Sequence, residues 1–542
     1  MPRLVLAILA LLASCADSGP RDRSLMRAVA SDPAASMPAP VRAVAKTPRS
    51  AAGLIPDHLA YFYPVGADVV VRLDDLATLE RAAGPAIGEV CGALPGIGLP
   101  EGSAAEILRQ ALALPSEVEF DHHRPFAFVR RAGKWSCVVA ASGDGGRRMR
   151  ALEAGYAVAG DPEVIGEYAA SYGKGHYLPG NVSLRVEPRA VAGLGSSLSE
   201  IFGPLRISTE FFDPLCKTPH EDVDRLDVAL RFAADSVRVD VRAALRTGSP
   251  VAALLTGTKP APARVAALLP PDGVVYVDGT PSLASLGRLL GCVGLTGFRS
   301  ADPSQDPRHA ALHAWKGESA AVLHVGADGA GTVHAIVQLE NPEDGASFIG
   351  SDPFKALLVS LAGTSGYLEW RPETFRRHDL AVGAVTGYVA RERIDELRAG
   401  NAVEVAIGSL LRGTVVAYVA VLDGKLCITV GEEPRPLMER FLDRVAAEAE
   451  RGNPHVTQTA ALFDERLAAG TIDFAALLAG LRDVVAARLA NGGELVAAVE
   501  PGSATVGFAL TAEGEALRLA VRVPVRSLAK GLARLVPGMP PK

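Results

Sequence analysis

Apolar and polar residues alternate with period two through Leu226, Val228, Leu230 and Phe232, and again through Val237, Val239, Val241 and Ala243. Successive side chains of a strand point to opposite faces, so this pattern predicts two strands with one buried and one wet face. Ala234-Asp235-Ser236 between them predicts the turn of a hairpin. The same design recurs near the end of the chain. Val506, Phe508 and Leu510 alternate, a turn falls near Glu513-Gly514-Glu515, and Leu517, Leu519, Val521 and Val523 alternate again. Arg238 and Arg242 in the first hairpin, and Arg518 and Arg522 in the second, occupy positions expected to face water.

Other units recur in the same order. Val69-Val70-Val71-Arg72-Leu73 leads into a helical stretch capped by Asp74 or Asp75, and Val274-Val275-Tyr276-Val277-Asp278 leads into one capped by Thr280 before Pro281. Asp and Thr accept from orphan N–H groups at a helix start, and proline suits its first turn. Tyr156–Gly160 and Leu426–Gly431 each precede an acidic cap and a proline, predicting helices to about Tyr172 and Glu450. Val182–Val186 and Gly470–Phe474 are further strands, each followed by a helix. The predicted fold class is α+β, with two tandem copies of a module of mostly antiparallel sheet and helices packed on one face. The proline-rich Thr258–Pro262 places the boundary, giving modules over residues 54–260 and 261–542.

The chain opens with the cationic Met1-Pro2-Arg3 and ten apolar residues, Leu4 to Ala13. That run is half the length needed to span a bilayer and suits the apolar region of an export signal. Leu12-Ala13-Ser14-Cys15 follows directly. It resembles the lipobox of bacterial lipoproteins. The resemblance implies a signal peptide over residues 1–14, cleavage before Cys15, and acylation of the Cys15 thiol and new amino terminus. Ala16, rather than Asp, after that cysteine implies the outer membrane. Ala16 to Gly53 is rich in Ala, Pro, Ser and Arg without apolar period, so residues 15–53 are expected to form a lipidated tether. A flexible chain of this length spans roughly 35 Å. The partner implied is the membrane, through the lipid.

With 542 residues, 49% hydrophobic and 21% charged, the chain can bury a sizeable core. The net charge of −6 argues against nucleic acid, which calls for a basic stripe. The body, on the strand and helix at Val69–Arg81 and the unit Leu426–Phe441, resembles a loose group of uncharacterised bacterial envelope proteins built from tandem modules. That resemblance carries no diagnostic catalytic motif.

Candidate chemistry is sparse. Apart from Cys15 the cysteines are Cys91, Cys137, Cys216, Cys292 and Cys427, with no C-x-x-C pair. Cys137 and Cys427 read as lone thiols in strands, while export permits a Cys91–Cys216 bridge. His309 and His313 are one helical turn apart, with His324 and His334 downstream, but His309–His313 lacks the glutamate of H-E-x-x-H. Ser171-x-x-Lys174 and Ser527-x-x-Lys530 fit S-x-x-K without its companion motifs. Gly326–Gly331 reads as a hairpin turn, and Asp302, Ser304 and Asp306 as a solvated loop. The sequence therefore predicts no cofactor, no metal and no catalytic residue. It predicts a lipid-anchored envelope protein with a binding or structural role. The alternatives are a carrier of an apolar ligand held between sheet and helices, or an envelope hydrolase.

Overall fold

A computed structural model describes residues 54–82, 108–187, 223–248, 260–280, 318–343, 368–395, 413–447, 453–480 and 504–524, less isolated positions within them, and Ser351. The first half holds β1 (Ile55–Asp57), β2 (Val69–Leu73), β3 (Glu119–Phe120), β4 (Phe126–Arg131), β5 (Lys134–Ser142), β6 (Met149–Ala151), β7 (Tyr156–Gly160), β8 (Gly175–Tyr177), β9 (Val182–Val186), β10 (Val223–Phe232) and β11 (Val237–Leu245). The second half holds β12 (Val275–Gly279), β13 (Ser319–Val325), β14 (Gly331–Gln338), β15 (Leu368–Arg377), β16 (Leu380–Tyr388), β17 (Thr414–Leu422), β18 (Lys425–Gly431), β19 (Ala468–Asp473), β20 (Thr505–Glu513) and β21 (Ala516–Val523). The α-helices are α1 (Pro162–Gly166), α2 (Arg435–Ala446), α3 (Pro454–Ala460) and α4 (Phe474–Gly480), among the described residues.

β1 and β8 pair by themselves, and the other 19 strands form one sheet with antiparallel ladders throughout. Its order is β6-β7-β5-β4-β2-β9-β10-β11-β21-β20-β19-β12-β13-β14-β18-β17-β16-β15, with β3 also on β5. One topology is traversed twice: β6-β7-β5-β4-β2-β9-β10-β11 has the same connectivity as β17-β18-β14-β13-β12-β19-β20-β21. The halves meet where β11 pairs β21, with Arg238 opposite Arg522, Asp240 opposite Ala520 and Arg242 opposite Arg518.

The α+β expectation, with helices packed over one face, is overturned. The molecule is mostly antiparallel sheet with few helices. The helical signal after Asp161 is real at its start and too long at its end. Asp75 accepts from the Thr78 amide, and Asp161 caps α1 through the Glu163 amide. But α1 ends at Gly166, because the chain beyond it is used for pairing. Tyr168 donates its hydroxyl to the Phe62 carbonyl, and the Ser171 and Tyr172 amides donate to the Tyr63 and Tyr61 carbonyls. α2 starts on Pro434 with no side-chain cap, rather than on an acidic one, and ends at Ala446.

β2 is buried at all five positions, which is why it reads as a continuous Val-Val-Val run rather than an alternation. Val71, Leu73, Phe126, Cys137 and Val139 pack with Leu108, Val118 and Phe120 on one face. Val70, Val129, Val138 and Val158 pack on the other with the 3-10 turn His58–Phe62, Ile165 and Tyr168. In the second half Tyr276, Val322, Ile336 and Cys427 are covered by Met438, Phe441, Leu442 and Val445 of α2.

Candidate functional site

The face of the sheet that carries Val70 also carries a band of charge, laid down by alternate positions of neighbouring strands. Arg72 (β2), Arg185 (β9), Arg225, Asp227 and Arg231 (β10), Arg238, Asp240 and Arg242 (β11) and Arg518 and Arg522 (β21) all fall on it through the ladder registers. The sequence reading placed the four hairpin arginines in water. Arg522 is exposed as read and Arg238 is partly so, but Arg242 is 1% exposed and Arg518 is largely buried. The correction has a physical cause. Arg238, Arg242 and Arg518 meet carboxylates supplied by the same face, and the residues beneath, Ala229, Ala509 and Ala520, are small enough to lodge the arginine stems.

Asp240, fully buried, accepts from Nε and Nη2 of Arg238 at 3.1 and 2.9 Å. Arg231 and Arg518 approach it at 3.5 and 3.8 Å. Arg518 also donates to Glu513 at 2.6 Å, and the Phe463 ring lies against both Arg238 and Arg518. Asp227 takes two hydrogen bonds from Arg225 on Oδ1, at 2.8 and 2.7 Å, while Arg242 stands 3.8 Å from Oδ2. Burial raises the Asp227 carboxyl from its ordinary value against the pull of Arg225. Burial likewise lowers the Arg242 guanidinium.

Beside this band lies a shallow cleft of about 240 Å³, counting the solvent at its mouth. Asp57, Tyr63, Arg72, Tyr177, Arg185 and Asp227 line it. Asp57 caps the 3-10 turn through the Leu59 amide, accepts from the Tyr63 hydroxyl at 2.7 Å and faces Arg72 at 3.3 Å. The Arg72 guanidinium sits 3.8 Å above the Tyr177 ring. Burial, then the Asp57 charge, pushes the Tyr63 phenol well up. Arg72 Nε and Asp227 Oδ2 are buried without a hydrogen-bond partner. The described hydrogen bonds include no serine–histidine or cysteine–histidine pair of the kind nucleophilic catalysis needs.

The second half places a different set on the same face. Arg466 grips Asp278 with two hydrogen bonds at 3.0 and 3.1 Å, both side chains being 1–2% exposed, and the Tyr276 hydroxyl donates to Asp278 at 2.8 Å. Nearby Glu318 accepts from the Val265 amide, and burial lifts its carboxyl to about 7. His455 stacks on Tyr276 and hydrogen-bonds Thr471. His334 pairs with Thr429 at 2.9 Å and meets His324 edge to face. Burial lowers His334 to about 4 and lowers His324 too, so both are neutral near pH 7.

Cys15, the lipid-attachment residue read from the sequence, lies outside the described residues, as do Cys91, Cys216, Cys292, His309, His313, Ser527, Lys530 and Asp302–Asp306. Cys137 and Cys427 are free and buried in strands, and burial raises both thiols, that of Cys427 to about 12. The structure brings His324 and His334 together, but no group of three or more metal-type ligands forms among the described residues. Ser171 Oγ donates to the Ala60 carbonyl rather than serving a lysine. Gly326 and Ala330 close the hairpin turn as read. Sequence reasoning missed Asp57, Arg72, Asp227, Asp278 and Arg466. The available signal was a charged residue inside an apolar strand run, at Arg72 and Asp278, which marks a buried partner elsewhere. No protein-family model, no curated protein and no solved structure gives a match to this chain.

Proposed function

We propose that the chain is a lipid-anchored protein of the bacterial cell envelope, held to the outer membrane by acylated Cys15, with a binding or structural role rather than a catalytic one. The observation that carries this reading is the ordered series of cationic start, ten-residue apolar run and Leu12-Ala13-Ser14-Cys15. Two or more acyl chains anchor stably where one binds marginally, so the lipid suffices without a basic surface. The charged groups of the body support a scaffold. They neutralise one another within the sheet instead of converging on a reacting atom. In cells fed labelled palmitate, the wild-type chain is expected to take up label and fractionate with membranes. Cys15→Ser is expected to lose both. Label or membrane retention that survives Cys15→Ser overturns the anchor.

A second reading is favoured by the opposite face of the central strands. Val239, Val241, Leu519 and Val521 are only partly buried there, while Asp240 and Arg242 on the charged face are sealed. That inversion suits a carrier of a lipid or other apolar ligand. Native mass spectrometry of the full Cys15→Ser chain tests it. A co-purified lipid supports the carrier, and a bare protein mass counts against it.

A further inference from the structure

Seven large hydrophobic side chains are exposed among the described residues, and four of them, Ile55, Tyr61, Val65 and Tyr172, belong to one small unit. Val65 and Tyr172 are the most exposed of the seven, at 60% and 58%. The unit is rigid. Tyr61 and Tyr172 meet edge to face with centroids 4.8 Å apart, and the Tyr172 amide donates to the Tyr61 carbonyl at 3.0 Å. Pro64 bridges Ala170 beside Val65, and Ile55 pairs with Tyr177 in the β1–β8 ladder. Tyr172 holds a left-handed φ of +51°, a conformation disfavoured for a bulky residue and kept here by that pairing. The chain therefore holds two tyrosines and two aliphatic residues outward at a cost.

Where this unit sits along the chain decides what it meets. The 39 residues from Ala16 to Leu54 lie between Cys15 and Ile55. On the lipid-anchor reading, on which this inference rests, the acyl group is in the bilayer and the patch begins where the tether ends. A tether spanning roughly 35 Å keeps that patch at a high effective concentration near the lipid surface, so modest apolar area suffices for contact. Tyrosine is the side chain that favours the membrane–water boundary, with an apolar ring and a polar tip. Lys174, two residues beyond Tyr172, adds a cation for anionic headgroups, and Glu153, whose charge reaches Tyr61, offsets it. The contact is thus interfacial and apolar rather than electrostatic.

We infer that Ile55, Tyr61, Val65 and Tyr172 form a membrane-docking face that seats the body on the bilayer holding its own Cys15 lipid. The test uses the full lipidated chain in phosphatidylethanolamine–phosphatidylglycerol vesicles with brominated acyl chains. Tyr61→Trp and Tyr172→Trp each add an emitting ring to the patch, and Val333→Trp adds one at an exposed site in β14. Each is read against the parent chain, so that the native tryptophans cancel. The added emission at residues 61 and 172 is expected to fall by about twofold or more, and that at 333 to stay unchanged, because brominated tails quench only rings seated at the boundary. An acylated, vesicle-bound chain whose signal at 61 and 172 is quenched no more than that at 333 refutes the docking face and leaves the anchor standing. A purified chain whose mass shows no acyl group on Cys15 refutes both.

Discussion

Two acids in the second half, Glu318 half-buried and Asp278 buried, show how single residues set stability. Glu318 has its carboxyl lifted from the usual 4.5 to about 7 by burial, against the pull of the Val265 amide. A raised folded-state value means that the folded chain holds the proton more tightly than the unfolded one. The stabilisation is complete below about pH 4.5 and is lost as pH rises through 7. Glu318→Gln keeps an oxygen for the Val265 amide but carries no charge. Its stability is expected to exceed wild type at pH 8, by on the order of 1–2 kcal/mol after allowing for solvent screening, and the excess should vanish by pH 4. Urea melts at the two pH values measure this, and an excess equal at both would refute the assignment. Asp278 behaves differently, since Arg466 and Tyr276 occupy both of its oxygens. Arg466→Met leaves that carboxylate buried and is expected to cost about 3–5 kcal/mol. Asp278→Leu with Arg466→Met should recover most of the loss, whereas a double variant as unstable as the single one would show that the pair itself stabilises the fold.

Strands succeed or fail here by how closely they approach their neighbours. Gly470 lies in β19 between β12 and β20, where an added Cβ would stand 2.5 Å from the Tyr276 carbonyl oxygen and 2.5 Å from the Phe508 ring. Gly470→Ala is expected to destabilise by about 1–3 kcal/mol, since backbone cannot yield as a side-chain tip can. Phe508→Leu should relieve part of the loss in thermal melts, and Gly470→Ala with an unchanged melting temperature would disprove the close approach. Edges are managed the other way. β15 carries Glu369, Arg371, Pro372, Glu373 and Arg376 and breaks register between Arg371 and Phe375, features that discourage pairing with another chain. How much of this was legible follows from the range of each signal. Period-two alternation placed β10, β11, β20 and β21 to within a few residues, because pleat and burial are local. Helix starts were legible from Asp75 and Asp161. The end of α1 was not, because it is decided by Tyr61 and Tyr63 a hundred residues earlier. The charged face was misread for the same reason. Alternation tells which residues share a face, but not whether Asp227, Asp240 and Glu513 will be there to meet the arginines. The cleft at Asp57 and Arg72 draws on four separate segments and leaves no local pattern at all.

At the scale of the whole molecule, the β11–β21 ladder decides whether there is one cooperative unit or two. Through it Val237 to Ala244 pair with Val523 to Ala516, and Asp240 of one half lies among arginines of both. The matched strand order of the halves makes this junction two-fold in character. Arg238 faces Arg522 as Arg242 faces Arg518, the reciprocity of a symmetric dimer interface built within one chain. Four close arginines would repel, and Asp240 and Glu513 offset them from inside the sheet. A continuous ladder of this kind couples the halves, so calorimetry of the intact chain is expected to show a single main transition. Ala520→Pro removes an N–H from the middle of β21 and clashes within the ladder, at a cost of about 3 kcal/mol or more. Ala520 belongs to the small cluster with Leu462, Ala469 and Ala509 and not to the larger cores of either half, so the break acts at the seam and its expected signature is a split into two transitions rather than one lowered transition. Ala229→Pro, set in β10 within the first half, serves as the control. It should lower the melting temperature of one unit without separating the two. If Ala520→Pro gave one lowered transition like the control, the cooperativity of the molecule would have to reside in contacts other than this seam.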